Sequence, residues 1–375
     1  MDTRVVRILH VVGGMNRGGI ETWLMHVLRH IDRDRCKMDF LVHTDHPCAY
    51  DEEIRSLGSK IIPCLNPSRP WTYARKFTQI LRKHGPYAVV HSHVHHFSGY
   101  VVRLAQRAGV PLRISHSHND TTNLEAHSGM LRHAYLALMK RWIERHASLG
   151  IACSREAAIA LFGLTWEANP RRRILYYGID LSPFQTVPDS GKIRTELGIP
   201  PDALVIGHVG RFSQQKNHAF LIVIFSELIK LQPDAYLLLV GDGELRPDIE
   251  RRVDEAGLST RVLFLGSRPD VPSLMKGTVD VFLFPSLYEG LPLVLIEAQA
   301  ACLPCIIADT VPVEVDIVKP LIRRVGLDTP PAIWAGTLVN HLSSVPTDLK
   351  AINVLKGSPF TIESSVSALA EVYGG

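Results

Sequence analysis

Hydrophobic and polar positions follow one repeating pattern along most of this chain. Short apolar runs, which are typical of buried strands, alternate with longer stretches in which apolar residues recur at helical spacing. This alternation predicts an α/β fold in which parallel strands are covered by helices. Because the pattern breaks between Ala168 and Pro201 and then resumes, it also predicts two domains built in the same way.

Individual elements follow from the same pattern. In the first half, strands are predicted at Val5–Val12, Lys37–His43, Ser59–Cys64, Ala88–His93, Leu112–Ser117 and Leu149–Ala152. Helices are predicted at Gly19–His30, Tyr50–Leu57, Trp71–His84, Gly99–Arg107, Met130–Arg145 and Ser154–Phe162. In the second half, strands are predicted at Val205–Val209, Tyr236–Val240, Val262–Leu265, Val279–Phe284 and Pro304–Ala308. Further helices are predicted at Ala219–Leu231 and, closing the chain, at Thr361–Tyr373.

The length of 375 residues exceeds the usual single hydrophobic core. We therefore expect a Rossmann-like domain over residues 1–180, completed by the C-terminal segment 361–375, and a second one over residues 199–355. Two such domains imply a central cleft, and open α/β sheets bind ligands at the carboxyl ends of their strands.

Composition excludes several classes of protein. A hydrophobic content of 46% with 21% charged residues is typical of a globular chain. The net charge of +4 suits an anionic ligand or an anionic membrane surface, but it is too small to indicate nucleic-acid binding. No apolar run approaches the roughly 18–20 residues that span a bilayer. The charged N-terminus with its short apolar segment predicts a first strand rather than a secretory signal.

The six cysteines are scattered without the spacing of a disulfide framework, which favours a reduced, cytoplasmic protein. Cys302 and Cys305 match the redox C-x-x-C pattern, but they follow a predicted helix, whereas redox sites of that type precede one. Small buried side chains are the better interpretation of this pair.

A polar loop in the second half carries two cations. Arg211 and Lys216 lie between a predicted strand and the helix that begins near Ala219. A guanidinium can hold a phosphate through two parallel hydrogen bonds, and an ammonium adds a mobile charge. The pair predicts a phosphate-binding loop, with a solvated surface pair as the alternative.

A second loop, after the strand that ends near Phe284, carries two carboxylates. Glu289 lies in the loop and Glu297 on the second turn of the next helix, with Pro292 suited to the first helical position. The segment Gly290-Leu291-Pro292 would present free N–H groups and a positive helix end to a phosphate. Glu297 could accept both hydroxyls of a ribose and Glu289 a hydroxyl of a transferred sugar. Together the two loops predict a nucleotide-sugar site; the alternative is that both glutamates only favour the helix N-terminus.

Glycines stand at three other strand ends. Gly18 and Gly19 precede the first helix, where backbone N–H groups can approach a ligand closely, although a tight turn alone would also explain them. Gly210 begins the loop of Arg211, and Gly241 closes the next strand in a weaker Gly-Asp-Gly pattern. The loop at Gly18 matches neither a dinucleotide nor an ATP signature.

Histidines are concentrated in the first half. His91, His93, His95 and His96 lie at one strand end, and His116 and His118 at the next. Such pairs can bind a metal, contact a substrate or serve a structural role, and the first acid that follows them is Asp120. Substrate contact is the preferred interpretation.

The helix Met130–Arg145 places apolar residues beside basic ones. We expect Leu131, Tyr135, Leu138 and Trp142 to form a core stripe with a solvated back. The alternative is a basic amphipathic face that rests on anionic lipid.

Taken together, these residues resemble the family 4 retaining glycosyltransferases, whose GT-B fold has two Rossmann-like domains facing a central cleft. The resemblance covers essentially the whole chain, and its motifs are Gly18-Gly19-Ile20-Glu21, the Arg211/Lys216 loop, Gly241-Asp242-Gly243 and Glu289 to Glu297 followed by Ala298. The segment Arg113 to Asn119, with Val315-Asp316-Ile317 and Leu327-Asp328, is most similar to the branch that builds bacterial exopolysaccharide and capsule repeat units.

The resemblance implies roles for these residues. Arg211 and Lys216 would contact the donor diphosphate, Glu297 the ribose and Glu289 the donor sugar, with Gly19 near the phosphates. Either His116 or His118 would contact the sugar. The predicted catalytic residues are His116, His118, Arg211, Lys216 and Glu289. The predicted donor-binding residues are Gly18, Gly19, Gly210, Arg211, Lys216, Gly241, Glu289, Gly290, Leu291 and Glu297. The chain departs from the family at Cys302, where glycine is usual just past the helix and a left-handed residue is expected.

The resulting hypothesis is a hexosyl-type transferase that uses a nucleotide-diphosphate donor, UDP-linked, and a lipid-linked saccharide acceptor. It would work with retention, by same-face attack, and without a metal or other cofactor, because the two cations and the helix dipole would offset the leaving charge. The one D-x-D pattern, Asp32-Arg33-Asp34, follows a helix in a weak context. We expect a cytoplasmic protein at the inner membrane face. The alternatives are a metal-dependent hydrolase using His91, His93, His116 and His118, and a catalytically silent protein of the same fold.

Overall fold

The computed structural model describes residues 5–122, 125, 129–346 and 349–374 and divides into two compact units. Unit 1 comprises Met1–Gly178 and Ile362–Gly375, and unit 2 comprises Ile179–Thr361. Each unit contains its own parallel sheet.

Within the described residues, the sheet of unit 1 has seven strands. They are β1 (Val6–Val12), β2 (Cys36–Val42), β3 (Ile61–Pro63), β4 (Val89–Ser92), β5 (Leu112–Ser117), β6 (Leu149–Ala152) and β7 (Arg172–Ile174). Their order is β3-β2-β1-β4-β5-β6-β7, and each neighbouring pair is parallel. The chain direction across the sheet reverses between β1 and β4, which makes the carboxyl ends of these two strands the topological switch point.

Helices cover this sheet. They are α1 (Gly19–His30), α2 (Asp51–Ser56), α3 (Pro70–His84), α4 (Ser98–Arg107), α5 (Met130–His146), α6 (Arg155–Phe162) and, from the C-terminus, α14 (Ile362–Gly374). The apolar core includes fully buried Leu9, Val90 and Phe77. The C-terminal helix is fixed to α1 by a hydrogen bond from Trp23 Nε1 to Ser365 Oγ of 2.9 Å.

In unit 2 the described residues form a six-stranded sheet in the order β10-β9-β8-β11-β12-β13. Its strands are β8 (Val205–Val209), β9 (Tyr236–Val240), β10 (Val262–Phe264), β11 (Val281–Phe284), β12 (Cys305–Ala308) and β13 (Ile322–Val325). Its helices are α7 (Ser190–Glu196), α8 (His218–Leu231), α9 (Arg246–Glu255), α10 (Val271–Gly277), α11 (Leu293–Ala300), α12 (Pro331–Leu342) and α13 (Ala351–Lys356).

The predicted strands and helices are all present, most of them within two residues of the predicted ends. The domain limits differ more. The segment between residues 180 and 199 was expected to separate the domains, but it belongs to unit 2. It contains α7, in which Arg194 forms an ion pair of 2.9 Å with Asp280 at the start of β11. A bridge between Ile179 and Thr361 marks where the chain enters and leaves unit 2.

The expected packing of α5 is wrong for three of its four residues, whereas Trp142 is half-buried and stacks on Tyr100 of α4. Its core face is formed by Leu136, Met139 and Ile143. Leu131, predicted as a core residue, is 90% exposed, and Tyr135 and Leu138 are also exposed. The helix carries apolar residues on both faces, so spacing alone does not identify the buried one.

Candidate functional site

The two predicted loops of unit 2 meet at the carboxyl ends of β8 and β11. Lys216 closes a short 3-10 turn, Gln214–Lys216, before α8 begins. Its Nζ lies 2.6 Å from Glu289 Oε1 and 4.7 Å from the centre of the Phe284 ring. Since Lys216 and Glu289 are 73 positions apart in the chain, the strand order of the sheet brings them together.

Gln215 holds the other side of Glu289. Its Nε2 donates to Glu289 Oε2 at 3.1 Å and to the Tyr288 carbonyl at 3.0 Å. The backbone carbonyl of Gln215 accepts a hydrogen bond from the Leu287 N–H. Glu289 is only 5% exposed, so both carboxylate oxygens are held in place in a largely dry setting. The sequence interpretation did not single out Gln215, because one amide in a polar loop gives no distinctive pattern.

Arg211 extends from the same loop but behaves differently. It is exposed, and its side chain forms no hydrogen bond or ion pair with another residue that the structure describes. The guanidinium is therefore available to a ligand without breaking an internal contact.

The backbones of the loops after β8 and β9 approach each other closely at Gly210 and Gly241. The Gly210 N–H donates to the Val240 carbonyl at 2.9 Å, and Gly241 adopts a φ of 137°. A side chain at Gly241 would collide with the Gly210 carbonyl, and one at Gly210 would press on Lys216 and His208. Glycine is thus required at Gly241 for the two strand-end loops to pack closely, whereas at Gly210 a side chain would crowd Lys216 and His208.

The helix α11 begins at Leu293, one residue later than expected. Pro292 is its N-cap residue rather than its first helical residue, with φ −76° and ψ 95°. Gly290 and Leu291 are buried in the preceding loop. Glu297 lies on the second turn, as predicted; its side chain keeps some exposure, yet its surroundings are largely protein, and burial raises its pKa to about 7.

Beneath Lys216 lie two buried histidines. His208 Nδ1 is 2.9 Å from the Leu283 carbonyl, and its ring meets that of His218 edge to face. Burial lowers the pKa of His208 well below its ordinary range and that of His218 to about 4, so both are neutral at pH 7. Sequence reasoning placed His208 in a strand and gave it no role.

In unit 1, Gly18 is the N-cap residue of α1 and Gly19 is its first residue. A Cβ added at Gly19 would meet no atom of the described residues within 4 Å, so these residues leave the first position of the helix uncovered.

The predicted histidines of unit 1 are buried. His116 is 0% and His118 is 5% exposed, and both lie in a group with His10, His91 and His93 at the switch point of the sheet. His118 Nε2 lies 2.9 Å from His93 Nδ1, and its Nδ1 is hydrogen-bonded to the Tyr177 hydroxyl. Both nitrogens of His118 are therefore occupied. Whether His116 or His118 contacts a sugar remains a prediction.

Three groups of side chains in the described part of the chain could hold a metal ion. They are His10 with His91 and His93, His93 with His116 and His118, and His95 with His96 and Glu125. In the first two groups most ring nitrogens are already paired with one another. In the third, Glu125 also pairs with Lys140 at 2.8 Å.

Comparison with known proteins identifies the class. A model described as "Glycosyl transferase 4-like domain" matches residues 18–177, and one described as "Glycosyl transferases group 1" matches residues 189–335. EpsF of Bacillus subtilis (strain 168), named only provisionally as a glycosyltransferase, is 38% identical over 377 residues, which cover 100% of this chain and 97% of EpsF. The chain belongs to the glycosyl transferases group 1 family.

Two further relatives are named for polysaccharide chemistry. The capsular polysaccharide biosynthesis glycosyltransferase CapH of Staphylococcus aureus is 25% identical, covering 98% of this chain and 99% of CapH. An Escherichia coli enzyme named UDP-Gal:alpha-D-GlcNAc-diphosphoundecaprenol alpha-1,3-galactosyltransferase is 30% identical, covering 61% of this chain and 59% of its own.

Solved structures show the same fold. HepE of Anabaena, in complex with UDP and glucose, superposes with a TM-score of 0.79 at 20% identity, covering 99% of this chain and 100% of HepE. WaaG, a glycosyltransferase involved in lipopolysaccharide biosynthesis, superposes with a TM-score of 0.75 at 18% identity, covering 98% of this chain and 100% of WaaG. The chain therefore has the GT-B fold, and it is a glycosyltransferase. The alternative of a metal-dependent hydrolase on the histidine pairs finds no support in these comparisons.

Proposed function

We propose that this glycosyltransferase moves a hexosyl group from a UDP-linked donor to a lipid-linked saccharide in the synthesis of exopolysaccharide or capsule. The transfer retains the anomeric configuration and uses no metal. The name of CapH supports the pathway, and the name of the Escherichia coli galactosyltransferase supports the lipid-linked acceptor. The HepE complex supports a uridine-diphosphate donor.

The observation that carries this proposal is the pair of Lys216 and Glu289 at the ends of β8 and β11. A diphosphate that reaches the loop competes with Glu289 for the Lys216 ammonium, and two phosphate charges attract it more strongly than one carboxylate. Glu289 is then released to accept a hydroxyl of the donor sugar. One exchange of partners thus selects a ligand that carries both a diphosphate and a sugar.

The same residues stabilise the leaving group. As the glycosidic bond breaks, negative charge grows on the diphosphate, and Lys216, Arg211 and the N-terminal end of α11 offset it. Arg211 forms no contact that must first be broken within the described chain. Because positive charge is already supplied in this way, the reaction does not require a divalent cation.

The way Glu289 is held supports retention without a covalent intermediate. Its two oxygens are engaged by Lys216 and Gln215, which suits a hydrogen-bonding role and not a nucleophilic one. We therefore expect the acceptor to attack from the face that the leaving group occupies, with a donor phosphate oxygen taking its proton.

The decisive experiment combines product analysis with one variant. The protein is incubated with UDP-glucose or UDP-galactose and a saccharide-diphosphate-lipid acceptor in the presence of a chelator, and the anomeric configuration of the product is read by NMR. An axial donor should give an axial product. Inversion, or transfer abolished by the chelator, would contradict the mechanism. Arg211→Ala should remove transfer; activity equal to the parent would show that the diphosphate binds elsewhere.

A lipid-linked acceptor places the reaction at a membrane surface, and the outer face of α5 fits one. Met130 and Leu131 are 88% and 90% exposed at the start of the helix, and exposed Arg141 and Arg145 lie near its end. Exposed apolar side chains followed by cations suit the interface of an anionic bilayer. No described helix is long and apolar enough to cross a bilayer.

A further inference from the structure

The buried histidines of unit 1 form two hydrogen-bonded lines. His10, His91 and His116 lie on β1, β4 and β5, and His93 and His118 follow two residues after His91 and His116, so all five point to one face of the sheet. One line runs from His10 through His93 to His118 and Tyr177. The other runs from Tyr373 on α14 through His91 to His116.

The direction of the second line can be worked out from its first member. The Tyr373 hydroxyl lies 2.8 Å from His91 Nδ1, which is its one hydrogen-bond partner among the described residues. Burial raises the pKa of Tyr373 well above its ordinary value, so the phenol keeps its proton. The O–H must therefore donate to His91 Nδ1, since no other acceptor in the described chain would satisfy it.

The remaining protons follow. Burial lowers the pKa values of His91 and His116 well below their ordinary range, so each ring is neutral and carries one N–H. With Nδ1 of His91 accepting, its proton lies on Nε2, which is 3.0 Å from His116 Nδ1. His116 accepts there in turn, and its own proton is left on Nε2.

That last N–H has nothing to donate to. His116 Nε2 is buried and without a hydrogen-bond partner in the part of the chain that the structure describes. A buried unsatisfied donor is costly, and such groups are typical of sites that a ligand completes. His118, by contrast, has both nitrogens occupied.

We propose that Tyr373 and His91 are positioning residues that hold the proton of His116 on Nε2, where it donates a hydrogen bond to a hydroxyl oxygen of the sugar substrate. This inference rests on the proposed function, since it takes His116 to be the histidine that meets the sugar. A neutral N–H donor suits a hydroxyl oxygen better than it suits a charged phosphate. His116 is fully covered, with Trp23 edge-on at 5.4 Å, so its proton is placed before any substrate binds.

The location of the proton can be measured without any activity. Two-bond proton–nitrogen spectra of the full-length protein, labelled with ¹⁵N-histidine, distinguish the two neutral forms of each ring, and His116→Gln assigns the signal. We expect His116 with its proton on Nε2 in the parent and a loss of that single form in Tyr373→Phe. A proton on Nδ1 in the parent, or an unchanged signal in Tyr373→Phe, overturns the inference.

A double-mutant cycle tests whether that proton matters for transfer. Tyr373→Phe should lower kcat about tenfold, the loss of one hydrogen bond, with little change in KM. In a His116→Gln background the amide supplies an N–H regardless of Tyr373, so adding Tyr373→Phe should cost nothing further. An equal loss in both backgrounds would show that Tyr373 serves only stability, and would sink the proposed role.

Tyr73→Phe is the matched control. Tyr73 is equally buried in unit 1, and its hydroxyl lies 3.0 Å from His43 Nε2, so the variant removes the same kind of contact away from the line. It should leave the His116 signal and kcat unchanged; a loss matching that of Tyr373→Phe would refute the proposal. If the parent protein transfers no sugar to any acceptor, the proposed function fails. The location of the proton on His116 still decides whether Tyr373 and His91 position it.

Discussion

The Glu297 carboxyl is a group of unit 2 whose pKa lies near neutrality. Burial raises it from its ordinary value to about 7, so both the neutral and the ionised carboxyl are accessible near neutral pH. A carboxylate that accepts hydrogen bonds from two ribose hydroxyls is favoured in its ionised form. Binding of a nucleotide should therefore lower this pKa and release a proton.

We accordingly predict that the affinity for UDP rises with pH up to about 7 and then levels off. Below that pH the proton must first be removed, and one unit of pKa change corresponds to about tenfold in affinity. Calorimetric titration between pH 5.5 and 8.5, in two buffers of different ionisation enthalpy, would measure both the affinity and the proton release. Glu297→Gln should bind more weakly and lose this pH dependence; an unaltered profile would assign the proton to another group.

Glu289 allows a prediction in which binding and transfer change in opposite directions. Its carboxylate holds Lys216 at 2.6 Å and would lie close to a bound diphosphate. UDP carries no transferred sugar, so Glu289→Gln removes a repulsive charge without removing a contact. We expect UDP to bind roughly three- to tenfold more tightly, a gain of about 1 kcal/mol, while transfer falls by at least about a hundredfold.

Lys216→Gln is the counterpart, and it should weaken UDP binding and transfer together. Both constants can be measured by equilibrium titration and by product formation. Weaker UDP binding in Glu289→Gln would mean that Glu289 contacts the nucleotide itself and that the partner exchange does not occur.

Cys302 is strained. It follows α11 with a φ of 64°, the left-handed conformation that the family resemblance indicates and that glycine adopts without penalty. The Leu303 N–H returns to the Ala298 carbonyl at 3.0 Å, which fixes the turn in this form. In the described chain the Cys302 Sγ makes a weak contact with the Leu349 carbonyl at 3.4 Å, which does not compensate fully for the conformation.

Cys302→Gly should stabilise unit 2 by about 0.5–1 kcal/mol, measured by urea unfolding. Cys302→Ala is the matched control, because it loses the same thiol but keeps the Cβ that causes the strain. It should be no more stable than the parent. If alanine and glycine were equivalent, the conformation would carry no cost at this position.

Some site residues were recoverable from sequence and others were not. Lys216 and Glu289 each stand in a local pattern, a polar loop between a strand and a helix, and the pattern alone suggests a ligand. His10, Tyr177 and Tyr373 have no such context, since each is a single polar residue in an otherwise apolar or turn segment. Only the packing of three strands and the C-terminal helix brings them together, which sequence spacing does not report.

Secondary-structure elements show the same division. Alternation of apolar runs and helical periods predicted the strands well, because a parallel strand buried on both faces gives a continuous apolar run. It did not predict β13, whose sequence Ile322-Arg323-Arg324-Val325 contains two adjacent arginines. Arg324 turns back to Asp316 and to two loop carbonyls, which neutralises it at the edge of the sheet.

The buried face of α5 was predicted wrongly for a different reason, because apolar residues lie on both faces of this helix. Its exposed face leads to a prediction. Leu131→Glu should reduce the fraction of protein bound to anionic vesicles by at least about tenfold, because an inserted leucine contributes about 1.5–3 kcal/mol. Co-sedimentation with vesicles containing phosphatidylglycerol measures this, and zwitterionic vesicles or high salt should weaken binding of the parent.

Leu164→Glu is the control for this face. Leu164 is 82% exposed in the same unit but lies outside α5. The variant introduces the same charge on another part of the surface and should bind vesicles as the parent does. Equal losses in both variants would indicate that net charge, and not the face of α5, governs binding.

The molecule as a whole repeats one architecture twice, with the chain passing from unit 1 to unit 2 and back. The returning helix α14 buries Leu369 completely and contributes Tyr373 to the histidine group. Unit 1 is therefore incomplete without α14. Unit 2 closes between Ile179 and Thr361 and has its own core, which includes Phe225 and Trp334.

This arrangement predicts that damage to α14 remains within one unit. Leu369→Ala leaves a cavity in unit 1 and should cost about 2–5 kcal/mol. Hydrogen exchange followed by mass spectrometry should then show faster exchange in β1, β4 and α1, while β8, β11 and α11 exchange as in the parent and UDP still binds. Glu371→Ala, an exposed change on the same helix, should leave both units unaffected. Faster exchange throughout unit 2 would mean that the two cores unfold together, because a loss confined to unit 1 requires that each core be stable by itself.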